Sequence, residues 1–373
     1  MTQPTRRAWL RAGATALAGT ALGTRLIPGH LAAAGGEAPA VIRLSLNENP
    51  LGPSPRVIDA IGKAVSSLHR YVDEEAAALT AQVAAQEGVD PSQIILGEVL
   101  EPLGLNLGLR SGAGGEFVYS VPGYPALVNA AARVGGRVVA VPLDERLGND
   151  LPALADAVTP RTQAVFVVNP HNPSGTVNGV SDFLAFVRST ARRGPLVVVD
   201  EAYLEYTDSF YARTAVPLVS AGENVAVFRT FGKVYGLAAL PMGYLVAPRE
   251  LATYLRGQGV GQPRDLNRLA AVAAGAALAD QPFVERVRST VAEERALWHA
   301  ELSRLGLRHT RSEANFVYFE TPRPATELTQ ALRASGIVVG RVFPPYDRWV
   351  RITIGLRSEN VRARAALQRI LGA

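Results

Sequence analysis

Of the 38 basic residues in this sequence only Lys63 and Lys233 are lysine; every other one is arginine. Arginine serves wherever a fixed positive charge is enough, because its guanidinium stays protonated. Lysine can shed its proton and attack a carbonyl, so side-chain amine chemistry here is confined to two positions. Lys233 stands in Arg229-Thr230-Phe231-Gly232-Lys233-Val234-Tyr235-Gly236-Leu237, a polar, glycine-containing loop that follows an apolar run at 225–228. An amine withdrawn from water in such a loop has a lowered pKa and can form an imine with an aldehyde.

Two further segments carry chemistry. Leu196-Val197-Val198-Val199-Asp200-Glu201-Ala202-Tyr203 delivers an acid at the end of an apolar run. A carboxylate there is costly without a positive partner, and a protonated pyridine nitrogen would be one. The other reading of Asp200 is an N-cap at a strand–helix junction. Asn169-Pro170-His171-Asn172-Pro173-Ser174-Gly175 follows another apolar run. Its paired Asn-Pro steps predict a tight, non-helical loop at the carboxyl end of a strand, where open α/β sheets bind ligands. A plain connecting turn is the alternative.

The elements that must position these groups are legible. Strands are predicted at 116–120, 137–141, 164–168, 196–199, 225–228 and 243–246, and several are continuously apolar, as in a parallel sheet buried on both faces. Helices are predicted at 124–134 and 180–192, then an alanine-rich one through 279 and a long amphipathic one at 282–305. Strands at 315–320 and 350–355 follow. The alternation indicates a layered α/β fold of more than one domain.

The chain has 373 residues, 48% of them apolar, and no cysteine, which excludes disulfides, thiolate metal sites and a cysteine nucleophile. No metal site is expected. Four of its five net positive charges are Arg6, Arg7, Arg11 and Arg25, within a segment free of acids. The remainder is nearly neutral and gives no sign of a nucleic-acid partner. Arg6 and Arg7, an apolar run at 12–22 and Ala32-Ala33-Ala34 follow in the order of a twin-arginine export signal, with a cut expected after Ala34. That predicts a periplasmic or otherwise exported protein, with no membrane contact once residues 1–34 are removed. An amphipathic first helix is the other reading.

The three loops together, with Leu46-Asn47-Glu48-Asn49-Pro50-Leu51-Gly52-Pro53-Ser54-Pro55 at the start and Val350-Arg351-Ile352-Thr353-Ile354-Gly355 near the end, resemble class I/II aminotransferases. Those enzymes use pyridoxal 5′-phosphate, and the nearest branch is the histidinol-phosphate aminotransferases. The resemblance spans residues 43–370. It implies a three-layer α/β fold of the fold type I class, with a mostly parallel central sheet in a large domain at 71–265. Residues 35–70 and 266–373 would make a smaller α+β domain. It implies an amino-group transfer between an L-amino acid and a 2-oxo acid, in a homodimer. Lys233 would bond the cofactor's aldehyde and move the proton; Asp200 would pair with the pyridine nitrogen. Asn172 and Tyr203 would reach the phenolic oxygen, and Thr230 the phosphate, with Tyr71 reaching the partner subunit's cofactor. Arg351 would take the substrate carboxylate, with Asn47 beside it.

The sequence also departs from the family. Gly232 replaces the usual serine before the lysine, and Pro241 the usual phosphate-clamping arginine. Gly97-Glu98-Val99-Leu100-Glu101 replaces a serine-containing phosphate loop, bringing two carboxylates. Leu127 stands where an aromatic ring usually stacks on the cofactor. Either the phosphate then rests on Arg229, Thr230 and the partner's Tyr71, or the cradle has been rebuilt. A decarboxylase, lyase, racemase or oxidase on the same fold, or a homologue that lost catalysis, stays open beside the transaminase.

Overall fold

The computed structural model describes residues 41–372. The paired arginines and the expected cleavage site lie outside them. The described strands are β1 (Ile42–Leu44), β2 (Ile94–Leu96), β3 (Glu116–Val121), β4 (Arg137–Pro142), β5 (Thr162–Val168), β6 (Leu196–Asp200), β7 (Val225–Thr230), β8 (Gly243–Val246), β9 (Phe316–Glu320), β10 (Ile337–Val339) and β11 (Trp349–Thr353).

Seven of them form one sheet in the order β2-β8-β7-β6-β5-β3-β4. The pairs from β4 through β7 are parallel, and β8 runs antiparallel to both of its neighbours. This is the mostly parallel sheet read from the continuous apolar runs. Along β5, Val165 and Val167 enter one core layer while Ala164, Phe166 and Val168 enter the other. Both faces are covered, so neither can tolerate polar residues until the strands end.

One covering layer contains the helices Leu100–Ser111 and Ala126–Ala132. Gly104 lets them touch: a Cβ there would lie 2.1 Å from the Leu127 carbonyl oxygen. Leu127 is fully buried in that contact. The remaining strands pair among themselves, β1 parallel to β10 and β11 antiparallel to β9. β1, β2 and β10 have three residues each, too short to show a period, and the sequence reading misses them. The long helix is Gln281–Arg304 and the alanine-rich one Arg268–Leu278, each within a few residues of its predicted ends.

Candidate active site

Five strands of the sheet, β2, β3, β5, β6 and β7, end at one cavity of about 550 Å³. After β5, the loop bends back on itself: the Gly175 N–H donates to the His171 carbonyl, and Gly175 has φ +72. A Cβ on Gly175 would collide with Ser312, so the position demands glycine. The bend holds Asn172 at the cavity wall. His171 is fully buried and pushed down to about 3 by that burial, with Nδ1 on the Ser174 hydroxyl at 2.9 Å. It is a packing group and stays neutral.

Strand parity sets the rest. Asp200, Phe228 and Thr230 share the face of Val198 and Ala226 and line the cavity; Arg229 falls on the opposite face with Val225 and Val227. Asp200 is buried, and its Oδ1 accepts from the backbone N–H of Ala202 at 3.0 Å. The N-cap reading of Asp200 is not met, because the next helical turn, Leu204–Tyr206, is preceded by Tyr203; the bond to Ala202 closes a local turn and satisfies little. Burial pushes its carboxyl up to about 7, with the Ala202 N–H and Lys233 opposing and Glu98 and Glu201 adding to the rise.

Lys233 lies half-buried on the cavity wall, its Nζ 5.6 Å from the centre of the Tyr203 ring. The Tyr203 hydroxyl accepts from Asn47 Nδ2 at 3.1 Å and from Asn172 Nδ2 at 3.5 Å. Asn47 is held at φ +56, a region asparagine tolerates, by bonds to Thr353 and Asn315. Arg351, from β11, donates to Asn172 Oδ1 and to the Ser45 carbonyl. Its guanidinium lies over the rings of Phe316 and Phe343, and its Nε has no partner. The Thr230 hydroxyl accepts from the Gly232 N–H at 3.0 Å.

Seven of the eight predicted site residues thus meet in one cavity: Asn47, Asn172, Asp200, Tyr203, Thr230, Lys233 and Arg351. Tyr71 does not line it and is 79% exposed. Lys63, the other lysine, is on the helix Pro55–Ala64, exposed and paired with Asp59.

Three expectations are corrected. Arg229 is unavailable to a phosphate: it is buried behind the sheet edge, donating to Glu201 and Glu87. Glu101 points away from the cavity to pair with Arg133, so one carboxylate of that loop, Glu98, reaches the wall. Glu98 keeps solvent contact through the open cavity, while the protein atoms crowded around it raise its carboxyl pKa, with Lys233 opposing. Leu127 is a core residue, and the cavity's aromatic on that side is Tyr124, pushed up to about 12 by burial. Tyr124 follows β3 in a Pro-Gly-Tyr-Pro turn, so the strand-end rule that selected Asn172 could have selected it as well. Arg341 and Phe343 were also missed, since nothing periodic precedes them.

A model of the family described as aminotransferase class I and II matches residues 39–370. The histidinol-phosphate aminotransferase of Moorella thermoacetica is 37% identical over 338 residues, covering 89% of this chain and 86% of its own. That of Dinoroseobacter shibae is 39% identical over 305 residues, covering 81% and 83%. Among solved structures, the histidinol-phosphate aminotransferase of Sinorhizobium meliloti in complex with pyridoxal 5′-phosphate superposes with a TM-score of 0.80 at 30% identity, over 89% of this chain and 92% of that one.

Proposed function

The chain belongs to the class I and II aminotransferase family, and from that premise we propose which residues run its reaction and on what kind of substrate. It is a pyridoxal 5′-phosphate-dependent transaminase, moving an amino group between an L-amino acid and a 2-oxo acid. When bound, the cofactor supplies an aldehyde that condenses with amines and a ring that accepts an electron pair.

The cavity fits that group at its ring end. Asp200 is a buried carboxylate whose pKa burial drives up to about 7, and a proton on a pyridine nitrogen is the cation it lacks. The observation that carries the reading is elimination among amines: of the two lysines, Lys63 is 76% exposed on a surface helix and Lys233 lines the cavity with Asp200. Lys233 is proposed as the amine that bonds the aldehyde. With the cofactor bound and the substrate's amine in its place on the aldehyde, the freed Nζ would be the base that carries the proton of the substrate Cα. Asp200 holds the ring nitrogen's proton. Asn172 and the Tyr203 hydroxyl orient the phenolic oxygen, Asn47 fixes Tyr203, and Thr230 donates to the phosphate.

Arg351 is proposed to bind the substrate's carboxylate. It is buried, yet no carboxylate of the described residues lies against it, and its Nε is unpartnered. A ligand anion would complete it as a charge-assisted pair. Arg341, which also lies over the Phe343 ring and is exposed on the cavity wall, is proposed for a second anionic group at the substrate's far end, such as the phosphate of histidinol phosphate. The test is a spectral screen of amino acids and amino-alcohol phosphates against the cofactor-loaded protein. Cofactor bands unchanged by every amino donor would sink the reading.

Three further proposals rest on the sequence. Tyr71 serves the partner's cofactor in a homodimer, for which its exposure leaves it free. Residues 35–70 and 266–373 make a small domain beside the large one at 71–265, as the pairing of β1 with β10 favours. Residues 1–34 direct twin-arginine export to the periplasm, supported by Arg6, Arg7 and Ala32-Ala33-Ala34. Replacing both arginines with lysine should leave uncleaved precursor in the cytoplasm, and mature periplasmic protein from that variant would refute the signal.

A further inference from the structure

Two carboxylates line the cavity, Asp200 and Glu98, and only the first has a cation to hold. The order of strands says what Glu98 faces. In the cofactor the phenolic oxygen and the phosphate-bearing carbon flank the aldehyde on opposite sides, with the ring nitrogen across from it. The carboxyl ends of β5, β6 and β7 bring Asn172, Asp200 and Thr230 to the cavity in that order. With the nitrogen at Asp200 and the phenolic oxygen at Asn172 and Tyr203, the phosphate turns toward β7 and the strands beyond it. Those are β8, preceded by Pro241, and β2, followed by Glu98.

This end of the cavity is poor in cations. Arg351 is tied to Asn172 and Ser45 at the other end, Arg133 is on Glu101, and Arg229 is closed off behind the sheet. Pro241 has no N–H to give. What remains is the Thr230 hydroxyl, the first turn of the helix Leu100–Ser111, Lys233 and Glu98. An ionised Glu98 would repel a phosphate, whereas a protonated one carries an O–H and can donate as a serine hydroxyl does.

We propose, resting on the cofactor placement above, that Glu98 meets the phosphate as a neutral carboxylic acid and donates its proton to a phosphate oxygen. The groups around it permit this. Burial among protein atoms and the like charge of Asp200 in the same cavity favour the neutral form, Lys233 opposes it, Tyr124 and Tyr203 are uncharged neighbours, and Arg341 and Arg351 belong to the far wall. On its own element, Glu101 is turned away to Arg133. Crowding by protein atoms already raises the Glu98 carboxyl, and a phosphate dianion brought beside it raises it further. Binding therefore takes up a proton from solvent.

The test uses the full chain freed of cofactor and two probes that cannot bond Lys233, pyridoxine 5′-phosphate and pyridoxine. Dissociation constants and proton uptake are measured by calorimetry from pH 7 to 9, where the phosphate keeps one charge state. For the phosphate ester, the wild type should weaken by up to about tenfold per pH unit relative to Glu98→Gln, which keeps a donor and cannot ionise. The wild type should also take up close to one more proton than the variant. Pyridoxine should show no such difference between the two proteins. Parallel pH profiles for wild type and Glu98→Gln, or an ester bound more tightly by Glu98→Ala at every pH, would overturn the role of Glu98 alone. An ester bound no better than pyridoxine by any of the proteins would overturn the cofactor placement with it.

Discussion

Arg229 and Arg351 are both buried guanidiniums carried by strands, 1% and 7% exposed, and their surroundings are opposites. Arg229 donates to Glu201 at 2.9 Å, Glu87 at 3.0 Å and the Thr214 hydroxyl at 2.8 Å, and it stacks on Phe210. Arg351 has a side-chain amide, a backbone carbonyl, two aromatic faces and an Nε with nothing. Adjacent carboxylates repeat the contrast. Glu201 accepts from Arg229, from the Thr214 hydroxyl and from the Ala215 N–H, whereas Asp200 has the Ala202 N–H. Behind the sheet edge Arg229 and Glu201 answer each other from within the chain, although Glu205 beside them is still pushed up to about 7 by burial. In front, the charges are left for a ligand to answer. Burial alone does not mark a functional residue; burial without an internal counter-charge does.

Four substitutions test that contrast, taken from the largest effect down. Lys233→Ala should lower transamination by at least about 10,000-fold, since it removes both the covalent anchor and the proton carrier. Borohydride should fix no cofactor to the variant; a labelled variant would move the chemistry to another amine. Glu201→Ala should cost about 2–4 kcal/mol of folding stability, because it leaves the buried Arg229 with Glu87 as its remaining paired carboxylate. Denaturant unfolding checks this, and a loss below about 1 kcal/mol would mean the rear network is loosely held. Arg351→Ala should weaken transition-state binding by about 2–4 kcal/mol, roughly 30- to 1000-fold in kcat/KM, with cofactor affinity unchanged. Release of the cofactor with amino-acid binding spared would put that arginine at the phosphate instead.

The fourth effect is the smallest and has the opposite sign. The Asp200 carboxyl is raised from 3.8 to about 7 in the fold, so the folded protein keeps a proton that the unfolded chain has released. Its contribution is fully present below pH 4 and is lost as pH rises through 7. Without cofactor, Asp200→Asn should therefore be more stable than wild type by about 1–3 kcal/mol at pH 8 and equal to it near pH 4. Thermal unfolding of the two proteins across that range is the measurement. With cofactor added, the order at pH 8 should reverse, because the carboxylate then has its cation.

The front of this comparison was more legible in the sequence than the back. Lys233, Asp200 and Asn172 follow apolar runs, and where a parallel strand ends is where a ligand can sit, so position and residue type pointed the same way. Arg229 was misjudged for an instructive reason. It lies one residue before Thr230, but alternation along β7 sends the two to opposite faces. Its partner Glu87 is 142 positions away, a pairing no local pattern carries. Glu98 and Glu101 were weighed alike because they share a loop, and only the helix that begins at Leu100 separates the one facing the cavity from the one facing Arg133. The three-residue strands escaped notice because they owe their existence to partners far along the chain, Ile42 to Ile337 and Ile94 to Val246.

The bonds that fix Asn47 have a temporal consequence. Its N–H and side chain are held by Thr353, 306 positions later, and its amide in turn holds Tyr203. At roughly 5–20 residues per second, a ribosome takes about 15–60 s to make that intervening stretch. Asn47 thus waits for a residue made near the end of synthesis, and the seven-stranded sheet can form before the cavity acquires its upper wall. The catalytic pocket is a post-translational object: no nascent chain has one, and a product truncated before β11 would carry Lys233 and Asp200 without the wall that Asn47 and Arg351 build around them.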